Sequence, residues 1–205
     1  MKYIIIFILS YMIGSIMNAY IIGKIFYDKD IRKIGTKNAG TANSVRQLGT
    51  LAGAMVMVLD IVKGFIASYL GYRYVGQMGA EIALLGVLLG HNYPLFLKGR
   101  GGKGIAAVAG AMLVLSWQSV FTYLLVFFIS LIISKIVTLS AIVGFVFSPL
   151  IVYYWTKNLE LVFFVTIMSL QVIYMHKHNI VAIKNKQEVK FNIVDYIKLL
   201  FTKER

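Results

Sequence analysis

Apolar runs about as long as a membrane-crossing helix alternate with short polar stretches along most of the chain. Tyr3 to Phe26, Leu51 to Gly71, Ala80 to Leu97, Leu139 to Trp155 and Leu159 to Met175 each approach the roughly 20 residues that carry an α-helix through the hydrocarbon core of a bilayer. Ile105 to Ile133 is longer, at about 44 Å as a single helix. It reads either as one tilted span or as two short ones broken near Ser116, Trp117 and Gln118. The pattern therefore predicts an all-α, polytopic integral membrane protein. The first run is long and lightly flanked by charge, and it lacks a small-residue cleavage site, so it is expected to be retained rather than removed as a signal peptide.

Charge placement selects between the two readings of Ile105 to Ile133. Lys24 to Arg46 holds six cations and the segment after Met175 holds seven, and such loops stay on the cytoplasmic side. A double crossing by Ile105 to Ile133 puts both basic segments, together with Lys135, on that side. The expectation is thus about seven transmembrane helices, some of them short, with the N-terminus outside and the C-terminus cytoplasmic. Arg73, Lys157 and Glu160 then form a light external load. Residues 190–201, KFNIVDYIKLLF, carry apolar residues along one helical side and are expected to lie on the membrane surface. No repeat or linker divides the chain, which reads as one domain over residues 1–205.

Composition agrees with this picture. Of the 205 residues 59% are hydrophobic, and the mean hydropathy is +0.78, well outside the soluble range. The net charge of +13 is accounted for by cytoplasmic loops beside anionic lipid, so no nucleic-acid partner is expected. With no cysteine, a thiol nucleophile, a disulfide and a thiolate metal site are all excluded. Acidic residues are few and scattered, so no metal is expected, and no other cofactor is indicated.

Four polar clusters carry the candidate chemistry, and the topology places all of them at or near the cytoplasmic face. The first is Gly35 to Gly49, GTKNAGTANSVRQLG, where Thr36, Asn38 and Asn43 supply donors and acceptors and Arg46 suits a bidentate grip on phosphate. In the second, Asp60 and Lys63 stand three residues apart on one helix face, inside a span, where charges are costly enough to mark a site. A self-neutralising structural pair is the competing reading. The third is Gly90 to Gly104, GHNYPLFLKGRGGKG, in which Gly101, Gly102 and Gly104 surround Lys103 below His91. Glycine-rich loops of this kind let backbone N–H groups close around an anion. A nucleotide-binding P-loop would need glycine at position 97 and Ser or Thr at 104, where the chain has Leu97 and Gly104, so the phosphate is not that of an ordinary nucleotide. The fourth cluster joins Thr138, in KIVTLSA, with His176, Asn179 and Glu188 in the segment after the last span.

In order and spacing, these clusters resemble the PlsY family, bacterial membrane-bound acyltransferases that use acyl phosphate to acylate glycerol 3-phosphate. The family pattern GSGNxGxxNxxRxLG is kept at Gly35, Asn38, Gly40, Asn43, Arg46, Leu48 and Gly49. The element DxxKG is kept at Asp60, Lys63 and Gly64, and GHxxPxFLxFxGGKG at Gly90, His91, Pro94, Phe96, Leu97 and Gly101 to Gly104. HxxNIxRLxxxxE is kept at His176, Asn179, Ile180 and Glu188. The chain departs from the family at Thr36 and Thr138, where hydroxyl-bearing threonine stands for serine. Lys37 replaces a glycine, Thr41 and Ala42 exchange small residues, GSIM at Gly14 to Met17 replaces GSIP, and Ala182 replaces an arginine.

The resemblance implies transfer of a fatty acyl group from acyl phosphate to the 1-hydroxyl of glycerol 3-phosphate, giving lysophosphatidate and phosphate for phospholipid synthesis. It implies catalytic roles for Thr36, Asn38, Arg46, Lys103, Thr138, His176 and Asn179. Substrate binding falls to Asn43, Asp60, Lys63, His91, Gly101, Gly102, Gly104 and Glu188. The partners implied are membrane lipid and the two substrates, with no obligate protein partner. The expected location is the inner (plasma) membrane, with the site facing the cytoplasm. The alternatives are a lipid-binding relative with altered substrate or no activity, to which the changes at Lys37 and Ala182 point, and a small-anion transporter using Asp60 and Lys63 as coupling charges.

Overall fold

The structure, a computed structural model, describes residues 1–188 and 190. Among these residues it is all-helical. In chain order the helices are α1 (Lys2–Gly14), α2 (Asn18–Tyr27), α3 (Thr41–Leu48), α4 (Thr50–Val75), α5 (Gln77–Asn92), α6 (Ile105–Ser134), α7 (Val137–Thr156), α8 (Leu159–Met175) and α9 (Lys177–Lys184). A 3-10 turn, Leu95–Leu97, follows α5. The expected surface helix over 190–201 lies outside the described residues.

The predicted spans appear with two breaks that bear on function. Lys2–Tyr27 is long and apolar enough to cross a membrane, but it is interrupted at Ser15–Met17 and so forms α1 and α2. The second break falls within α6, where Ser116 takes φ −164° and ψ 88°, one of the positions where the sequence placed it. The Ser116 hydroxyl lies 2.7 Å from that of Ser119 and accepts the Ser119 N–H at 3.4 Å, replacing part of the interrupted helical ladder. Among the described residues, five segments are long and apolar enough to span, and α8 with α9, bent by 57°, makes a sixth. A seventh pass requires the two arms of α6 to cross separately.

The chain divides into two compact units, residues 1–120 and Phe121 onward. In the first, α5 is the central element, packed against α1 and α4 and buried along most of its length, with Glu81, Ala83, Leu84, Val87, Leu88 and Asn92 all fully inaccessible. Close approach needs small residues. A Cβ on Gly14 would overlap the Val87 carbonyl and one on Gly90 the Tyr11 carbonyl, so α1 and α5 meet backbone to backbone. Between α4 and α6 the same holds in both directions, Gly64 lying against the Ala107 carbonyl and Gly110 against the Ile61 carbonyl. Small residues at crossing points are how helices gain packing in lipid, where no hydrophobic difference drives association. Side chains such as Ile8, Leu9, Val58 and Phe65 point outward, as lipid-facing positions require.

In the second unit α7 packs on α8. Gly144 of α7 receives the Tyr123 ring, which also tilts against Phe145 with ring centroids 5.0 Å apart. Lys157 sits 5.2 Å from the ring centres of both Tyr153 and Tyr154, and the Trp155 indole N–H donates to the Thr122 hydroxyl at 2.9 Å. Amphipathic aromatics of this kind are placed where membrane meets water.

Candidate active site

In the first unit, the loop between α2 and α3 folds onto the loop between α5 and α6, joining the first and third polar clusters, and His91 links the latter to the Asp60–Lys63 pair of α4. The α2–α3 loop begins where Asp28 closes α2 in the left-handed region, with φ 47°. Its path is then fixed by Asn43, which is 1% exposed. The Asn43 side-chain oxygen accepts the Thr36 N–H at 3.0 Å, and its amide donates to the carbonyls of Ile31 and Ile34 at 3.0 and 3.1 Å. Thus Asn43 staples the loop from within, and Thr36 is left exposed at its tip. Lys37 takes φ 59°, a conformation that glycine adopts without cost. The backbone at Lys37 therefore follows a path open to glycine. Arg46 projects from α3 into an exposed position, and Asn38 is half-buried beside Gly40.

A second anchor ties this loop to the next. The Arg32 guanidinium grips Asp30, with Nε 2.9 Å from Oδ1 and Nη2 2.8 Å from Oδ2. It lies 4.6 Å from the Tyr20 ring centre and donates to the Leu97 carbonyl at 3.5 Å. Hydrogen bonding from Arg32 holds the Asp30 carboxyl below its ordinary value of 3.8, and Asp30 in turn raises Arg32. A depressed carboxylate contributes stability that is present above the unfolded pKa and is lost as pH falls through the folded one. Thermal unfolding in detergent should therefore show a loss of stability below about pH 4 that is reduced in Asp30→Asn; identical acid profiles for the two proteins would rule out this contribution.

The glycine-rich segment leaves α5 at Asn92, turns through Pro94 and the 3-10 helix, and reverses at Lys98 and Gly99, with φ 53° and 70°. It then folds back along the end of α5. The Gly102 N–H donates to the His91 carbonyl at 3.1 Å, and the Ala39 N–H to the Gly101 carbonyl at 3.5 Å. A Cβ at Gly101 would overlap the His91 carbonyl and lie 2.6 Å from Pro94, while one at Gly102 would overlap the His91 ring and approach the Ala39 carbonyl at 2.7 Å. The glycines are required for this close approach, quite apart from any ligand. Gly104, at φ 84°, starts α6 by accepting the Val108 N–H at 2.8 Å. Half-buried Lys103 thus stands immediately before the positive end of a long helix, beside the loop carrying Thr36 and Asn38.

Beneath these loops lie the buried charges. Lys63 and Asp60 pair at 3.0 Å with exposures of 6% and 2%, and Asp60 also accepts from the Asn18 amide at 2.9 Å. His91 Nδ1 is 3.8 Å from the same Asp60 oxygen. Asn18 was not singled out by the sequence reading, although an amide within an otherwise apolar run was the available signal.

The second unit holds the fourth cluster. The Glu188 carboxylate accepts the Thr138 hydroxyl at 2.6 Å and the Asn179 amide at 3.1 and 3.3 Å. Glu188 therefore sets the orientation of both groups. His176, 2% exposed, forms the corner between α8 and α9, and its Nδ1 lies 2.8 Å from the Val172 carbonyl. That contact fixes the ring and makes Nε2 the basic nitrogen when Nδ1 carries the proton.

Comparison with known proteins gives a consistent answer. The profile of the glycerol-3-phosphate acyltransferase family matches residues 4–186. Glycerol-3-phosphate acyltransferase from Listeria monocytogenes is 39% identical over 190 residues, covering 91% of this chain and 96% of that protein. The enzyme of the same name from Thermoanaerobacter is 40% identical over 174 residues, 84% of this chain and 87% of that one. Among solved structures, PlsY, an integral membrane glycerol 3-phosphate acyltransferase in its glycerol 3-phosphate form, matches with a TM-score of 0.88 at 26% identity, covering 96% of this chain and 99% of that chain. Its lysophosphatidic acid form matches with a TM-score of 0.86, also at 26% identity. With the profile matching residues 4–186 and a relative 39% identical over 91% of this sequence, this chain belongs to the glycerol-3-phosphate acyltransferase family.

Proposed function

We propose that the protein transfers a fatty acyl group from acyl phosphate to the 1-hydroxyl of glycerol 3-phosphate, releasing lysophosphatidate and inorganic phosphate at the cytoplasmic face of the inner membrane. The observation that carries this reading is the docking of the Gly101–Gly104 loop, with Lys103, onto the Thr36–Ala39 loop. It gathers a cation, backbone amides and a helix N-terminus beside a hydroxyl and an amide. Such an arrangement suits a phosphate held at headgroup level while an acyl chain stays in lipid.

In the proposed reaction, the acceptor oxygen attacks the acyl carbon, the carbon–oxygen bond to phosphate breaks, and phosphate departs. Acyl phosphate is already activated, so no covalent enzyme intermediate is needed. The work left to the protein is placement of two anionic substrates and stabilisation of the oxyanion that develops at the acyl carbon. Lys103 and Arg46 are assigned to phosphate, and Thr36 and Asn38 to hydrogen bonding at the reacting groups. The family pattern assigns Thr138, His176 and Asn179 to ordering of the acceptor. The proton leaving the hydroxyl passes to a substrate phosphate oxygen, with His176 as the side-chain alternative. Asn43 and Glu188 are assigned to holding these groups rather than to direct contact, on the strength of their hydrogen bonds.

Donor identity is tested by supplying glycerol 3-phosphate with acyl phosphate, acyl-coenzyme A or acylated carrier protein in turn. Turnover with acyl phosphate in the absence of the other two is the predicted outcome; turnover only with a thioester donor would overturn the donor assignment.

A further inference from the structure

The buried ion pair does not end at its own helix. Lys63 Nζ donates to the carbonyls of Gly14 and Ile16 at 3.1 and 2.7 Å, and stands 3.0 Å from Asp60 Oδ1. Gly14 is the last residue of α1 and Ile16 lies within the break before α2, where the regular helical ladder is lost. The Ser15 hydroxyl, in the break itself, accepts the Leu95 N–H at 3.4 Å at the entry to the glycine-rich segment. On the other side, Asp60 Oδ1 takes the Asn18 amide and faces His91 Nδ1 at 3.8 Å. His91 is 2% exposed, and its Nδ1 has no hydrogen-bond partner. Its Nε2 edge packs on Gly102, whose N–H is bonded to the His91 carbonyl. A broken helix, an ion pair, an imidazole and the loop bearing Lys103 therefore form one continuous series.

An ammonium has three protons. All three of those on Lys63 are used by the two carbonyls and Asp60, at a site where the side chain is 6% exposed. None remains for a phosphate, and the Asp60 carboxylate beside it would repel one. We propose that Lys63 and Asp60 are positioning residues that hold the α1–α2 break and the His91 support on which Gly101–Gly104 rests, rather than ligands of the substrate phosphate. This rests on the reading of that loop as the phosphate cradle.

A buried pair has a diagnostic response: losing one member strands an uncompensated charge, whereas neutralising both does not. Asp60→Asn, Lys63→Gln and the double variant separate the possibilities in reconstituted membranes, because both replacements retain hydrogen-bonding atoms. Each single change should raise KM for glycerol 3-phosphate by about tenfold with kcat altered less than about threefold, and the double variant should recover to within about threefold of the unaltered protein. A double variant as impaired as Lys63→Gln alone is the result expected of direct phosphate contact, and it would overturn the proposal. Unchanged KM in both singles would overturn it as well. Should the singles fail to accumulate, the double variant decides alone, with recovery supporting the proposal and a KM raised about tenfold or more contradicting it. Calorimetric binding of glycerol 3-phosphate gives the same ranking without turnover, so failure of the activity assignment is distinguishable from failure here.

Discussion

Lys103→Ala should lower acyl transfer by at least about a hundredfold, the scale on which removal of one well-placed donor to a developing charge acts. Membrane insertion and yield should be unaffected. The expectation follows from where the residue sits. Lys103 is half-buried between Gly102, bonded to the His91 carbonyl, and Gly104, which opens α6. The loop on which it stands is held by two backbone hydrogen bonds, from Gly102 to the His91 carbonyl and from Ala39 to the Gly101 carbonyl. Lys103→Arg keeps the charge but changes its shape, so partial activity is expected. Comparing initial rates in membranes at matched protein levels checks both. Full turnover by Lys103→Ala would remove Lys103 from the mechanism.

Glu188→Ala comes next in expected effect. The carboxylate accepts from Thr138 and from Asn179, so its removal takes an acceptor from two side chains at once. A fall in kcat of about tenfold to a hundredfold is expected, with Glu188→Gln intermediate because its amide oxygen still accepts one of the two donors. Coupling gives the sharper check. If Glu188 acts through its partners, Glu188→Ala combined with Thr138→Val should cost less than the two single changes together. Strict additivity in that cycle would show that the hydrogen bond at 2.6 Å has no functional weight.

The spans were legible because twenty apolar residues in a row have few alternatives. The break at Ser116 was legible because Ser116, Trp117 and Gln118 interrupt such a run. The break at Ser15–Met17 was not, since its Ile16 carbonyl is met by Lys63, 47 residues away in sequence. A bond of that reach leaves no local periodicity to read. Thr41–Leu48 carries small and amide residues that suit turns, yet it forms α3, packed against α4. Site chemistry was legible as residue types, but the division of labour was not. Asn43 looked like a ligand group and is occupied with three backbone partners of its own loop. Asp60 and Lys63 looked like either a site or a self-neutralising pair; the ion pair forms at 3.0 Å, and Lys63 reaches beyond it to the Gly14 and Ile16 carbonyls. Side-chain identity announces what a group is able to bind; which partner it has is a long-range property.

Acyl transfer to glycerol 3-phosphate is measured most directly by following both products from defined substrates. Purified protein in lipid vesicles, supplied with acyl phosphate and labelled glycerol 3-phosphate, should form labelled lysophosphatidate and inorganic phosphate in equal amounts, with both lost in Lys103→Ala. Phosphate release without lysophosphatidate, or no product at all from well-folded protein, would contradict the account.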